Sequence, residues 1–214
     1  MLKIFYEDKY LVVCEKAAGV LSEGDSSDCM PQLLAEHFEA KGEKNTVYTV
    51  HRLDRETSGL MVYARTKDAA AGLSSAIRDG SFEKEYLAKI HGVPKAGSGK
   101  MEDLLFYDRA KNRSYTVKRV RKGVKDAALE YKVLSSENGM SLVRIKLMTG
   151  RTHQIRAQFA SRGFSLVGDR KYGAPKGDGS LALRACSLSF PHPITKEKMQ
   201  FEIGDAEDAL RETF

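Results

Sequence analysis

The chain has 214 residues, of which 42% are hydrophobic and 30% are charged, with only five prolines. This length suits one large domain or two small ones, and this composition excludes a wholly disordered or collagen-like chain. No apolar run reaches the roughly 18 residues that a membrane-spanning helix needs. An acidic pair, Glu7 and Asp8, interrupts the apolar N-terminal stretch. We therefore expect a protein that is neither secreted nor embedded in a membrane.

Cysteine and histidine spacing argues against a metal site. Cys14, Cys29 and Cys186 are an odd number of cysteines and show no C-x-x-C spacing. We interpret them as reduced thiols, which predicts a cytoplasmic protein without a disulfide framework or structural zinc. The five histidines lie far apart and show no H-x-H or H-x-x-x-H spacing. The sequence therefore predicts no bound metal.

Positive charge is concentrated in two segments. Residues 109–125 hold eight basic residues and no acidic one, and residues 151–176 hold six basic residues and one acid. The whole chain has a net charge of +6, so the remainder is negative overall. Such a polarised distribution is typical of a protein that binds a polyanion, and nucleic acid is the usual partner. The alternative is a solvated surface on which basic residues cluster by chance.

Hydrophobic periodicity and turn residues predict the elements in chain order. The first half is expected to form strands over 3–7 and 10–15, a helix over 31–40, a strand over 60–64, a helix over 67–78 and a strand over 85–92. Thr66 can cap the second helix, and Gly80 can end it.

The second half reads as mostly strands. A Gly/Ser/Lys loop over 95–100 is expected to precede strands over 104–107, 115–120, 129–134 and 141–147, a helix over 152–162, strands near 183–190 and 199–203, and a short helix after Asp205. Many strands with a few helices indicate an α+β fold, with a mixed, mostly antiparallel sheet. No glycine-rich loop follows a predicted strand, which argues against a doubly wound nucleotide-binding fold.

The densest polar cluster is the stretch 51–59, which precedes the apolar strand at 60–64. Asp54 lies between Arg52 and Arg55, and nearby cations keep a carboxylate ionised and available as a nucleophile or base. Taken alone, the loop is better explained as a solvated, salt-bridged turn.

A second cluster spans 149–156. Gly150 allows a tight approach, Thr152 can cap the following helix, and the first amides of that helix can receive an anion. Arg151 and Arg156 diverge on a helix by roughly 140°, so they should serve different partners, such as a phosphate and the carboxylate of Asp54. An ordinary basic helix start is the alternative.

Tyr86 falls on the strand predicted over 85–92. A tyrosine on a strand is more often part of the core than catalytic. The alternative is that its ring stacks on a nucleic-acid base while its hydroxyl meets a charge.

Six segments, taken together and in this order, resemble motifs of the RluA-like pseudouridine synthases. LVVCEKAAGV at 11–20, HRLDRETSGL at 51–60, KEYLA at 84–88, TGRTHQIR at 149–156, VGDRKYG at 167–173 and LSFPHP at 188–193 match the family's strings. Two positions depart: Ala17 replaces the usual proline, and Gln158 stands where a histidine often occurs. Neither change removes a residue that the chemistry needs.

The resemblance implies the pseudouridine synthase fold, with flanking helices and a central RNA-binding cleft. It implies one catalytic domain over residues 1–214, without a separate N-terminal RNA-binding domain, acting on ribosomal or transfer RNA. A monomer is expected as the default for a one-pocket enzyme of this size. The reaction breaks the C1′–N1 bond of a uridine and rejoins the base through C5. No atoms are gained, so no cofactor and no metal are expected.

The resemblance also implies roles for individual residues. Asp54 matches the essential carboxylate, Arg156 the arginine that pairs with it, and Tyr86 the tyrosine that packs on the target base. Whether Asp54 attacks the sugar, attacks the base or abstracts a sugar proton stays open. The residues expected to bind the substrate are Lys16, Arg52, Arg151, Gln154 and, as the floor of the pocket, Leu183.

Two other function classes are alternatives to this interpretation. A non-catalytic RNA-binding protein could use the same scaffold, but the catalytic motif residues are intact. A metal-dependent nuclease would need clustered carboxylates, which the sequence does not offer. The segment 109–125 is expected either to be a hairpin or loop that contributes to RNA specificity, or to be a sheet edge protected by Lys and Arg.

Overall fold

The computed structural model describes residues 2–204 and residue 207. Its strands are β1 (Lys3–Glu7), β2 (Leu11–Lys16), β3 (Tyr48–Thr49), β4 (Ser58–Ala64), β5 (Glu83–His91), β6 (Ser98–Asp108), β7 (Arg113–Val117), β8 (Val124–Glu137), β9 (Met140–Leu147), β10 (Leu183–Pro191) and β11 (Lys198–Glu202). Its helices are α1 (Met30–Ala40), α2 (Lys67–Asp79), α3 (Gln154–Ala160) and a 3₁₀ helix over Arg170–Tyr172. The helix expected after Asp205 lies, apart from residue 207, outside the described residues.

The chain forms two compact units. Unit 1 comprises Met1–Lys84 and Ala185–Ile203, and unit 2 comprises Glu85–Arg184 and Gly204–Phe214. In unit 1 the strand order is β1-β2-β4-β10, with β11 beside β10 and β3 beside β4. In unit 2 the order is β5-β9-β8-β6-β7.

The core of unit 1 is built on β2 and β4. These strands pair antiparallel from Leu11↔Ala64 to Lys16↔Gly59, and Leu11 to Cys14 and Leu60 to Ala64 are fully buried. A strand buried on both faces reads as a continuous apolar run, which is why both strands were visible in the sequence. Helix α2 has the predicted ends, because Thr66 Oγ1 accepts a hydrogen bond from the Ala69 N–H at 3.2 Å and Gly80 has a φ of 83°.

Strands β6 to β9 of unit 2 form an antiparallel sheet in the order β9-β8-β6-β7. Strand β6 pairs with β8 from Ser98↔Lys132 onward, and β8 pairs with β9 from Leu129↔Leu147 onward. The prediction of a loop over 95–100 is wrong in its second half, where residues 98–100 belong to β6. They pair with the 14-residue strand β8, beginning at Ser98↔Lys132. Strand β5 is buried continuously from Tyr86 to Ile90.

The basic segment 109–125 combines both expected arrangements. It contains the turn of the β6–β7 hairpin, paired from Asp108↔Arg113 to Leu104↔Val117, and β7 ends the strand order of unit 2. The segment is therefore both a hairpin and a strand at the end of that order.

Helix α3 begins later than expected and is capped differently. Its N-cap is His153, which has a φ of 53° and makes no side-chain capping bond, so the expected cap by Thr152 is wrong. The left-handed residue breaks the helical path before Gln154. All residues from Gln154 to Phe159 are buried.

The predicted α+β class, with a mostly antiparallel sheet and a few helices, is confirmed. Within the described part of the chain, no helix is long and apolar enough to cross a membrane.

Candidate active site

Asp54 lies in a turn of unit 1 that leads into β4. Its main-chain carbonyl accepts a hydrogen bond from the Thr57 N–H at 3.0 Å. Leu53 and Thr57 are buried, with 5% and 2% of their surface exposed, whereas Asp54 is partly exposed. Buried neighbours thus fix the turn while the carboxylate keeps access to solvent.

Hydrogen bonds tie this turn to the segment 17–22, which follows β2. The Gly19 N–H donates to the Arg55 carbonyl at 2.8 Å, and Ser22 Oγ donates to the Leu53 carbonyl at 2.9 Å. The main chain is therefore held on both sides of the catalytic candidate. The early motif and the second motif of the sequence form one local structure.

Lys16 reinforces the same junction from the end of β2. It is fully buried, and its Nζ donates to the carbonyls of Ala17, Val20 and Arg55 at 3.0, 2.8 and 3.0 Å. Burial lowers the pKa of Lys16 to about 8, and the charge of Asp54 acts in the opposite direction. Because its three ammonium hydrogens are used within unit 1, Lys16 holds the turn, and its expected contact with RNA stays a prediction.

Gly59 is required where β4 leaves this turn. It has a φ of 118°, and a Cβ there would lie 2.2 Å from the carbonyl oxygen of Ala185 on β10. Only glycine allows the backbones of these neighbouring strands to approach so closely. This explains the glycine that ends the stretch at 51–59.

The two arginines that flank Asp54 in the sequence pair with other acids. Arg52 Nη1 lies 2.8 Å from Glu23 Oε1, and Arg55 Nη2 donates to Asp28 Oδ2 at 3.0 Å. Both guanidinium groups therefore have acidic partners in the segment after residue 22, and their effect on Asp54 stays a prediction. The Arg52 side chain is 60% exposed, and its contact with RNA remains a prediction.

His51, the first residue of the second motif, supports β4. Its Nε2 accepts a hydrogen bond from the Val62 N–H at 3.1 Å, and the residue is 8% exposed. Burial lowers the pKa of His51 to about 3, and the Lys84 charge acts in the same direction. The imidazole is consequently neutral and structural at physiological pH.

Arg156 lies on α3 in unit 2 and binds a carboxylate that the sequence analysis did not assign. Its Nε and Nη2 donate to Asp169 Oδ2 and Oδ1, each at 2.7 Å. The two side chains are 3% and 0% exposed. A bidentate, buried pair of this kind fixes the plane of the guanidinium. The pairing of Arg156 with Asp54 stays a prediction.

Gly168 allows Asp169 to reach Arg156. Gly168 has a φ of 76°, and a Cβ there would lie 2.0 Å from the carbonyl oxygen of Ser180. The turn at 167–173 therefore requires glycine before the aspartate. The motif resemblance included this turn, but no local signal indicated that its aspartate faces α3.

Gln154 organises the loop before α3. Its Oε1 accepts hydrogen bonds from Thr149 Oγ1 at 2.8 Å and the Arg151 N–H at 3.0 Å, and its Nε2 donates to the Ala128 carbonyl at 3.0 Å. Arg151 Nε donates to the Asp126 carbonyl at 2.8 Å. Arg151 and Arg156 thus have different partners, as expected, while direct RNA contacts by Gln154 and Arg151 stay predictions.

Tyr86 on β5 and Leu183 at the start of β10 are both 5% exposed. Their burial is compatible with lining a pocket or with a place in the core. The roles of Tyr86 against the base and of Leu183 as a floor stay predictions.

A cavity of ≈ 410 Å³ lies elsewhere in unit 1, beside β1 and the β10–β11 hairpin. It is lined by residues that include Tyr6, Tyr10, His192 and Phe201. None of the predicted site residues lines it, so it carries no part of the catalytic hypothesis.

Comparison with known proteins agrees with the motifs. Residues 10–161 match the family model described as RNA pseudouridylate synthase. An uncharacterized RNA pseudouridine synthase of Bacillus subtilis is 33% identical over 205 residues, covering 94% of this chain and 71% of that protein. The ribosomal large subunit pseudouridine synthase D of Zymomonas mobilis is 32% identical over 218 residues, covering 94% and 68%.

Solved structures agree as well. The human protein RNA Pseudouridylate Synthase Domain Containing 4 superimposes with a TM-score of 0.78 at 25% identity, covering 98% of this chain and 93% of that one.

The fold and the motif segments therefore define an RNA-modifying isomerase of the α+β class. The chain belongs to the RNA pseudouridylate synthase family, in its RluA-like branch. Enzymes of this family convert uridine in RNA to pseudouridine.

Proposed function

We propose that this enzyme isomerises specific uridines of large-subunit ribosomal RNA, with Asp54 as the essential carboxylate. The reaction breaks the C1′–N1 bond, turns the uracil and forms a C1′–C5 bond. N1 gains a proton and C5 loses one, so the product is an isomer of the substrate. A carboxylate is suited to meet the positive charge that develops on the sugar when the glycosidic bond breaks.

The observation that carries the choice of Asp54 is the way its turn is held. Lys16, Gly19 and Ser22 bond the main chain of residues on both sides of it, while the Asp54 side chain is partly exposed. A reactive group needs such preorganisation, because misplacement by about 1 Å can reduce a rate on the order of a hundredfold.

The proposed roles of Arg156 and Tyr86 follow the motif correspondence. The motif correspondence gives Arg156, whose guanidinium plane is fixed by Asp169, the role of partner to the catalytic carboxylate. A flipped uracil can stack on Tyr86. Flipping costs a few kcal/mol, and phosphate contacts by the basic segment 109–125 can offset that cost.

The proposal of ribosomal RNA is supported by relatives named for it. The large subunit pseudouridine synthases of Zymomonas mobilis and of Buchnera aphidicola are 32% and 31% identical to this chain. Transfer RNA is the alternative substrate, and the test below separates the two.

The test is a transcriptome-wide map of pseudouridine by carbodiimide adducts that stop reverse transcription. Cells without this protein are compared with cells that express the wild type, Asp54→Asn or Asp68→Asn. Asp68 is an exposed acid in the first turn of α2 and provides the matched control. A ribosomal site should disappear in the deletion and return with the wild type and Asp68→Asn only.

Restoration of pseudouridine at the ribosomal site by Asp54→Asn would refute the catalytic role of Asp54. Loss confined to transfer RNA would refute the proposed substrate. We extend the proposal to a single catalytic domain that acts as a monomer in the cytoplasm. The three buried cysteines, which form no disulfide bond, support the cytoplasmic location only.

A further inference from the structure

Tyr172 ends the 3₁₀ helix of unit 2 and lies where several elements meet. It is 6% exposed and packs in a buried cluster with Leu105 of β6, Ala127 of β8 and Ala157 of α3. A buried tyrosine whose hydroxyl has a single hydrogen-bond partner would be part of the core and no more. The Tyr172 hydroxyl instead contacts two different elements.

The Tyr172 hydroxyl joins the basic hairpin to the start of α3. It accepts a hydrogen bond from the Ser114 N–H of β7 at 2.7 Å and lies 3.0 Å from Nδ1 of His153. Since Ser114 provides the donor of the first bond, the hydroxyl proton is free for the histidine. His153 is the left-handed residue that sets the direction of α3.

The ring of Tyr172 lies against two arginines. The guanidinium carbons of Arg156 and Arg113 lie 5.2 and 4.9 Å from its centroid. Both distances allow a cation–π attraction. The Arg156 guanidinium is thus hydrogen-bonded to Asp169 and also lies against the ring of Tyr172.

Two further bonds join the hairpin to the same region. Ser114 Oγ donates to the Thr152 carbonyl at 2.5 Å, and Lys171 Nζ donates to the Asn112 carbonyl at 3.0 Å. The hairpin therefore contacts both the residue before His153 and the 3₁₀ helix that carries Tyr172. A shift of the hairpin must be transmitted to these elements.

We infer that Tyr172 is a positioning residue that couples the β6–β7 hairpin to Arg156, so that RNA bound on the hairpin and the arginine of the active site are set together. The inference rests on the proposed function, because it takes Arg156 as the partner of Asp54. It predicts that loss of the Tyr172 hydroxyl impairs the chemical step more than it impairs RNA binding.

The test compares Tyr172→Phe with the wild type in two backgrounds, Arg156 intact and Arg156→Lys. Tyr6→Phe is the matched control, since it removes a hydroxyl in unit 1 that donates to Asp8 at 3.1 Å. The probes are transcripts of large-subunit ribosomal RNA and of transfer RNAs labelled with [5-³H]uridine, from which pseudouridine formation releases tritium. Single-turnover rates and RNA Kd values are measured together.

Tyr172→Phe should lower the single-turnover rate by about tenfold, roughly the effect of 1.4 kcal/mol, and change the Kd by less than about twofold. In the Arg156→Lys background, Tyr172→Phe should lower the single-turnover rate little further, because the effects of residues that act through one another are not additive. Equal losses in both backgrounds, or an unchanged rate with Arg156 intact, would overturn the inference.

A spectroscopic measurement separates this inference from the proposed function. The Arg156 Nε–H, bonded to Asp169, should give a protected signal in a ¹H–¹⁵N spectrum of the wild type. Tyr172→Phe should shift that signal or increase its exchange with water, and Tyr6→Phe should not. An unchanged signal would refute the positioning role even if Asp54→Asn is inactive, whereas an active Asp54→Asn would refute only the proposed function.

Discussion

His51 illustrates how one buried side chain can determine acid stability. Its Nε2 must stay unprotonated to accept the Val62 N–H, and burial lowers its pKa to about 3. In the unfolded chain the imidazole pKa is about 6.5. Between these values the unfolded state binds more protons, so the free energy of unfolding decreases as the pH falls from 6.5 towards 3.

We expect His51→Gln to flatten this dependence. Between pH 7.5 and pH 5 the free energy of unfolding should decrease by about 2 kcal/mol more in the wild type than in the variant. The reason is that one bound proton corresponds to about 1.4 kcal/mol per pH unit. Urea unfolding at both pH values measures the difference. Phe82→Leu is the control, because its ring centroid lies 5.2 Å from that of His51 and it removes no titratable group. Equal slopes for wild type and His51→Gln would contradict the prediction.

The Arg156–Asp169 pair should contribute differently to stability and to activity. Asp169→Asn leaves a buried guanidinium without its carboxylate and should destabilise the fold by about 3–5 kcal/mol. The double variant Arg156→Met, Asp169→Leu should recover most of that loss, since well-packed apolar residues can replace a buried pair. It should remain inactive.

Chemical denaturation and tritium release from labelled RNA measure the two properties. The control is the exposed ion pair of Lys100 and Glu102, in which Nζ lies 2.7 Å from Oε1. Replacing both residues by Gln should change the free energy of unfolding by less than about 1 kcal/mol. Activity in the double variant of Arg156 and Asp169 would remove Arg156 from the proposed mechanism.

At the scale of elements, the β6–β7 hairpin and the turn that follows it present the largest cluster of cations. The side chains of Lys118, Arg119 and Lys122 are exposed, and the guanidinium of Arg121 lies 4.6 Å from the Phe106 ring centroid. Exposed cations near a strand at the end of the sheet order can both prevent edge pairing and bind phosphates. Measuring RNA affinity separates the two roles.

We expect removal of these charges to weaken RNA binding at least tenfold while the single-turnover rate at saturating RNA stays within about twofold. The variant replaces with Gln four exposed residues, Lys118, Arg119, Lys122 and Lys125. The control removes the same total charge from unit 1, by Gln at the exposed residues Lys9, Lys44, Lys67 and Arg78. Equal affinity loss in both variants would mean that only net charge matters and that the segment 118–125, which follows β7, does not bind RNA directly.

At the scale of the whole molecule, the uneven charge should make RNA binding strongly dependent on salt. Each phosphate contact on single-stranded RNA contributes a slope of roughly −0.7 to the plot of log affinity against log salt concentration. The variant with Gln at residues 118, 119, 122 and 125 should reduce the magnitude of this slope by about 3, and the unit 1 control should leave the slope unchanged. Filter binding over a range of salt concentrations measures both slopes. An affinity that does not respond to salt would refute binding to a polyanion.

Features with a local cause were predictable from the sequence. Helix α2 has the expected ends because Thr66 and Gly80 act within one turn of it. Strands β2 and β4 were visible because they are buried on both faces and therefore apolar throughout. The six motif segments, taken together and in order, were sufficient to identify the family, because such strings can be read directly from the chain.

Features that depend on distant residues were decided by the tertiary structure. Arg52 and Arg55 are adjacent to Asp54 in the chain, yet pair with Glu23 and Asp28. The ammonium group of Lys16, whose contact with the substrate stays a prediction, is buried among three carbonyls that only the fold brings together. Sequence distance does not determine which charged groups lie close together, because the fold of the chain decides which side chains meet.

The sequence by itself determined the family, the class of fold and the identity of the candidate carboxylate. Only the tertiary structure determined that Asp169 fixes Arg156 and that Tyr172 joins the basic hairpin to the same arginine. The physical reason is that a motif records which side chains are present. The direction in which each one points is set by packing between elements, and a single left-handed residue such as His153 can redirect it.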